Sequence, residues 1–329
     1  MKDTLSNANF PLTSTGATYH LGCSPGQLAN RIIIVGDFSR ARRIAALFDD
    51  AASKQGIFEN HSSRQFLTLT GTFHSTPVSV VAIGMGFPLV DFFLREARKV
   101  VQGEMCVIRL GSCGSLDKTI GLGSVVVPRR SHGVVRNYDW FHEGTSDEER
   151  RGSKPYQVTR GIDVEPGVHD ALLAELEGNK PAADEELFNG HPPSCVGGVV
   201  NGSADSFYSS QGRSDPAFWD ENEGWVEEMV KGWGMQTLEM ETFVLQSLAH
   251  SANKAAEAQG KGEEQRVRTG AVQMIFANRH TSDFIKPQEV DVLERWAGEA
   301  VLRTLIGGVE LHHTMDDGVW NNQAHKAEK

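Results

Sequence analysis

A lone arginine, Arg109, sits in the run CVIRLGSCGSL at residues 106–116, where an apolar, strand-like stretch leads straight into a loop of small residues, Gly111 to Ser115. A guanidinium at the end of a buried strand cannot shed its charge, so something anionic has to meet it. The partner is either a nearby Asp or Glu, or a bound oxyanion lined by the loop's N–H groups and hydroxyls. More cations, Arg40, Arg42 and Arg43, follow Gly36-Asp37 and crowd the first turns of a helical pattern. The helix dipole disfavours cations there and a docked anion would relieve the conflict, although arginines reaching into solvent would also be tolerated. Glu239 and Glu241 open a later helical pattern at the positive end of its dipole, which alone could account for them. Residues 201–211, NGSADSFYSSQ, gather small hydroxyls around Phe207 and Tyr208, the composition of a binding loop.

The elements that must position these residues are those of an α/β protein. Residues 32–35 read as a buried strand that breaks at Gly36-Asp37 into an alanine-rich helix over 39–48, with Asp37 as N-cap. Residues 66–73 and 77–83 read as paired antiparallel strands joined at His74-Ser75-Thr76, with Arg64 just ahead of them. Gly84 to Gly86 leads through Pro88 into a helix whose apolar positions include Val90, Phe93, Leu94 and Ala97; the spacing is not that of a dinucleotide fingerprint. Strands are expected at 123–128, 195–200 and 271–277, and helices over 166–177, from Thr237 onward and over 289–305. The tryptophan-rich, acidic stretch 218–233 reads as a lid or a packed insertion.

The chain has 329 residues, 39% hydrophobic and 23% charged, and one large core is expected. Its net charge of −11, from 32 Lys+Arg against 43 Asp+Glu, disfavours nucleic-acid and anionic-membrane partners. Any anion must therefore be captured locally. Cys23, Cys106, Cys113 and Cys195 show no metal-ligand spacing and read as reduced thiols of a cytoplasmic protein. No stretch approaches the roughly 18 apolar residues of a membrane span, and the first residues carry no export signal.

Four segments in this order, VGDFSRARRI, VIRLGSCGSL, SADSFYSSQGR and TLEMETFVL, resemble the marker segments of the type-I nucleoside phosphorylase family; the third resembles its uridine-cleaving branch. The similarity runs from about Tyr19 to Leu305. It implies a single α/β domain with a mixed, partly barrel-like central sheet flanked by helices. It also implies reversible phosphorolysis of uridine to uracil and ribose 1-phosphate, a pentosyl transfer of pyrimidine salvage. By resemblance Gly36, Arg40 and Arg109 match phosphate ligands, and Ser112 stands for a threonine that touches phosphate and ribose. Arg64 matches an arginine that reaches the neighbouring subunit's phosphate, and His20 a partner-donated histidine at the ribose 5′ hydroxyl, so sites are shared in at least a dimer. Glu241 matches the acceptor for the ribose 2′ and 3′ hydroxyls, and Met240 packs on the sugar and base. Phe207 packs on the nucleoside, while Gln211 with Arg213 reads the pyrimidine edge. Arg109, Arg213 and Glu241 are thus the expected catalytic set, with Arg279 and Glu239 supporting from behind. Asn278, where the purine-cleaving branch has an aspartate, favours a pyrimidine. The alternatives are a purine nucleoside phosphorylase, a nucleosidase of the same family, or a nucleoside-binding protein without turnover.

The departures from the family also count. Phe38 replaces a proline, and Gln65 and Leu89 stand where relatives hold a monovalent cation between subunits, so no metal site is carried over. No cofactor is implied, phosphate being a co-substrate. The resemblance leaves a leader at 1–18, taken as mobile, and a tail at 311–329 outside a domain at 19–310, in which polar insertions lie near 142–155, 178–193 and 252–266. Those insertions would obstruct a hexamer, and a homodimer is expected.

Overall fold

The computed structural model describes residues 5–49, 51 and 56–321. Ile32 to Val35 offer no polar face, and β1 (Arg31–Val35) accordingly lies mid-sheet, its apolar residues fully buried between parallel neighbours. It leads into α1 (Phe38–Ala45), whose N-cap Asp37 accepts from the Arg40 N–H at 2.9 Å, as expected. Then come β2 (Phe58–His61), the hairpin β3 (Leu67–Phe73) and β4 (Thr76–Ala82), α2 (Phe87–Val100) and β5 (Met105–Ser115). There follow β6 (Val125–Arg136), α3 (Asp147–Arg151), β7 (Tyr156–Val158), β8 (Ile162–Asp163) and α4 (Pro166–Gly178). β9 (Cys195–Ala204), α5 (Trp225–Trp233), β10 (Thr237–Glu239), α6 (Thr242–Ala258), β11 (Val267–Asn278) and α7 (Pro287–Arg303) complete the order.

The strands run β10-β9-β6-β11-β5-β1-β4-β3-β2, and β10 pairs back onto β5. Five strands, β5, β11, β6, β9 and β10, therefore close into a barrel, while β1, β4, β3 and β2 continue from β5 as an open arm. Alternate residues feed two apolar layers. Ile33, Val35, Ile108 and Leu110 pack with α1, α4 and α7; Ile32, Ile34 and Val107 pack with α2 and α6.

Several expectations change. Gly111 to Ser115 are not a loop: β5 continues through them, because β11 pairs along its whole length and β10 takes Gly114 and Ser115 from the other side. β6 runs past Pro128, where a strand end was expected; the proline gives no N–H, so the ladder with β9 shifts register on both sides of it and then resumes. Asn201 to Ala204 belong to β9 rather than to the binding loop. Thr237 to Glu239 form strand, not the first turn of a helix, since partners on both sides outweigh the helical spacing, and α6 starts only at Thr242. α6 reaches Ala258, and Asn253 ties it to Val267, so part of the third insertion is helix.

The C-terminal segment is held to the body as far as it is described, and the N-terminal one folds back on itself. His312 and His313 donate backbone N–H groups to Glu104, Met315 donates to Asn30, and Val319 donates to the Gly26 carbonyl. Isolated bridges join Ser6 to Leu12 and Leu12 to Thr18. The remainder of the expected leader and tail, residues 1–4 and 322–329, lies outside the described residues. No helix among the described residues is long and apolar enough to cross a membrane.

Candidate functional site

β5 belongs to both the open arm and the barrel, and Arg109 sits at the changeover, where its last backbone partner in β1 is Ile34. A cavity of about 700 Å³ opens at this point. It gathers Gly36, Arg40, Arg109, Ser112, Phe207, Gln211, Arg213, Glu239, Met240 and Glu241 from four separate stretches of chain.

Arg109 is 3% exposed, and it finds the carboxylate that physical reasoning requires: its Nη2 donates to Glu241 Oε2 at 2.8 Å. Nη1 donates to the Leu110 carbonyl at 2.9 Å, while the buried Nε has no protein partner. A Cβ on Gly111 would lie 3.1 Å from the Arg109 guanidinium carbon, so the glycine makes room for the side chain that folds back over it. The other oxygen of Glu241 accepts from the Gly86 N–H at 2.7 Å, which fastens the turn ahead of α2 to the cavity floor.

Glu239 does not face the cavity with the same freedom. Its carboxylate accepts from the N–H groups of Glu241 at 2.9 Å and Thr242 at 3.0 Å, from Asn201 at 2.9 Å and from the Ser203 hydroxyl. It thereby closes the N-terminus of α6 and sets the backbone that carries Glu241. Burial, and then the neighbouring Glu241, push its carboxyl above the usual range. Burial, with Glu239 nearby, also raises the Cys113 thiol well above its ordinary value.

Arg40 is 5% exposed and is not left waiting for an anion. Its Nε donates to Glu294 Oε1 at 2.8 Å, and Glu294 also pairs with Arg43. Arg42 forms two hydrogen bonds with Glu59, at 2.9 and 2.7 Å. The cations crowding α1 are thus balanced largely by α7 and β2. Arg40 still lines the cavity, with its guanidinium 5.7 Å above the Phe276 ring.

At the opposite end, Gln211 is buried and its Oε1 accepts from Arg213 Nη1 at 2.6 Å, which leaves the amide N–H groups for other acceptors. Arg213 lies 3.7 Å from the centre of the Phe207 ring. Burial, and secondarily Arg279, pull its guanidinium down to about 10, so it remains charged at neutral pH. Arg279 donates to the carbonyls of Gln211 and Gly212 at 3.0 and 3.2 Å. The Asn278 side chain caps the turn that follows it, accepting from His280 N–H at 2.9 Å, and does not line the cavity.

His20 and Arg64 lie outside the cavity lining, both against Tyr19. His20 stacks on Phe92 with centroids 3.9 Å apart and shares a 2.6 Å hydrogen bond with Glu96; Arg64 sits over the Tyr19 ring and bonds its hydroxyl. Met85, Phe276, Phe284, Ile285 and Glu294 are site neighbours that sequence reasoning missed. Glu294 left a signal: it falls on the apolar face of α7 beside Leu293 and Ala297, where an unpaired carboxylate has no place. Phe276 left none, because it sits at the register shift between Ile275 and Ala277 that only the folded ladder displays.

Residues 30–258 match the family model described as the Phosphorylase superfamily. A uridine phosphorylase structure from the oomycete Phytophthora capsici aligns with a TM-score of 0.81 at 34% identity, covering 92% of this chain and 99% of that one. A uridine phosphorylase of Thermococcus kodakarensis is 28% identical over 294 residues, 88% of this chain and 87% of the relative. A DeoD-type purine nucleoside phosphorylase of Roseobacter denitrificans is 27% identical over 241 residues, 73% and 84% respectively.

Proposed function

The chain belongs to the phosphorylase superfamily and is a nucleoside phosphorylase, a pentosyltransferase that takes a nucleoside and phosphate, and from that premise we propose that its nucleoside is uridine. The observation that carries this reading is the Gln211–Arg213 pair, already bonded to each other and lining the cavity. Cleavage of the bond between ribose C1′ and uracil N1 sends the electron pair onto the base, whose charge spreads to O2 and O4. Cationic and amide donors placed at that edge lower the barrier. Phosphate needs no base to attack. With Arg40 and Arg109 as its ligands on the far side, one phosphate oxygen bonds to C1′ as the base leaves, and its negative charge meets the positive ribosyl centre. Glu241, paired with Arg109, accepts from the ribose hydroxyls, Ser112 bridges phosphate and sugar, and Met240 packs on the sugar.

The reading further assigns His20 and Arg64 to a partner's site, which accounts for two such side chains lying together on the surface and apart from this chain's own cavity. It makes the working unit a homodimer with no resident cofactor, and the four free thiols suit a cytoplasmic salvage enzyme. A purine substrate is the second reading, favoured by the Roseobacter relative. Against it stands Asn278, which offers no acid to a purine ring and spends its side chain on the turn.

The test is a panel of uridine, thymidine and inosine with and without phosphate. Phosphate-dependent release of uracil with little hypoxanthine is expected. Preferential cleavage of inosine would move the enzyme to the purine side, and release of base without phosphate would make it a nucleosidase.

A further inference from the structure

The loop that carries Gln211 and Arg213 has no strand partner, yet each of its carbonyls from Phe207 to Arg213 receives a donor. Arg213 itself supplies those of Phe207 and Tyr208, at 2.6 and 2.9 Å. Trp225 Nε1 supplies Ser210 at 2.9 Å, and Arg279 supplies Gln211 and Gly212. The Asn222 amide donates twice, to the carbonyls of Ser209 at 3.1 Å and Arg213 at 2.9 Å. One side chain therefore ties together the backbone on either side of Gln211 and holds the residue that carries the Arg213 guanidinium.

Asn222 is in turn held from the far side. Two residues before it, Asp220 pairs with Arg136 through its side chain and takes the Tyr156 hydroxyl on its carbonyl. The adjacent Trp219 packs against Trp140 and Phe141, with ring centroids 5.7 and 5.5 Å away. Arg150, from the polar insertion, spans Trp140 and Trp219 at 5.8 and 5.4 Å and donates to the carbonyls of Trp140 and His142. The polar insertion near 142–155 thus packs, through Arg150, against Trp219 in the segment that bears Asn222.

We propose that Asn222 is a positioning residue that sets the base-reading loop, and that Trp140, with Arg150 from the polar insertion that follows it, secures it through Trp219. This rests on the reading of Gln211 and Arg213 as the base-contacting pair. Asn222→Asp keeps the shape and removes both N–H donors. It is expected to lower kcat/KM for the nucleoside by roughly ten- to hundredfold, in line with two lost hydrogen bonds and a displaced donor, while the KM for phosphate stays unchanged. Hydrogen exchange at the Gly212 and Arg213 amides, which donate to Ser209 and Tyr208, is expected to speed up, and Trp219→Ala to move both readouts the same way by less. Wild-type nucleoside kinetics in Asn222→Asp, or an equal loss of phosphate affinity, would overturn the proposal. Should the wild-type enzyme prefer another nucleoside, the uridine reading fails by itself, and the KM split is read on that nucleoside. Should no nucleoside turn over, the exchange rates decide: faster exchange supports the positioning role and unchanged exchange refutes it.

Discussion

Arg109 carries its charge into the protein on a strand of otherwise apolar residues, and Glu241 meets it at 2.8 Å. A structural ion pair and an anion site are not rival explanations here, because the carboxylate that neutralises the arginine is the one assigned to ribose. Both oxygens of Glu241 are engaged within the protein, by Arg109 and by the Gly86 N–H. Truncating either member would strand its partner in a buried setting at a cost of about 3–5 kcal/mol, so the informative variant is Arg109→Lys, which keeps charge and loses the fork. It is expected to raise the KM for phosphate about ten- to hundredfold. Arg213→Ala should act at the other end, lowering kcat/KM for uridine about 100- to 1000-fold and leaving phosphate affinity in place. Steady-state kinetics with each substrate varied separately checks the split; the same KM for phosphate in Arg109→Lys and wild type would remove Arg109 from the phosphate site.

β5 explains why the residues assemble. Its first half pairs with β1 in the open arm, its last two residues pair with β10 in the barrel, and β11 runs beside it throughout. A strand shared by two curvatures needs small residues at the changeover, which Gly111, Ser112, Cys113 and Gly114 supply. Gly111→Ala is expected to leave the fold in place, as judged by circular dichroism, while displacing the Arg109 guanidinium, which a new Cβ would approach to 3.1 Å. The KM for phosphate should rise and the KM for uridine change less. The strands β1, β3 and β4 and the helices α2, α4 and α7 were legible because their apolar periodicity is local. β10 was not, since three residues, Thr237 to Glu239, are strand only by virtue of β5 and β9 on either side. Arg40 and Arg109 could be picked out by their chemistry and Gln211 and Arg213 by resemblance, but the Glu294 clamp on Arg40 joins residues 254 apart in sequence, and the carboxylate on the apolar face of α7 does not name its partner.

At the scale of the whole molecule, the chain builds a cavity with its arm and barrel but keeps His20 and Arg64 out of its lining, both packed against Tyr19. Arg64 is exposed and among the described residues its guanidinium is joined to Tyr19 alone, a poor return for a side chain with nothing further to do. If a two-fold partner brings Arg64 to the phosphate, a lesion there and a lesion at Arg213 damage the same site from different chains. Arg64→Ala and Arg213→Ala homodimers would each have two defective sites. In a hybrid of the two, one site lacks both groups and the other combines an intact Arg213 with an intact donated Arg64. Random pairing makes half the dimers hybrid, so a mixture co-expressed from differently tagged chains should recover about a quarter of wild-type activity, and purified hybrids about half. Light scattering should give the mass of two chains. Hybrids no more active than the mean of their parents would show that Arg64 serves its own chain or none, and the shared-site reading would fall with them.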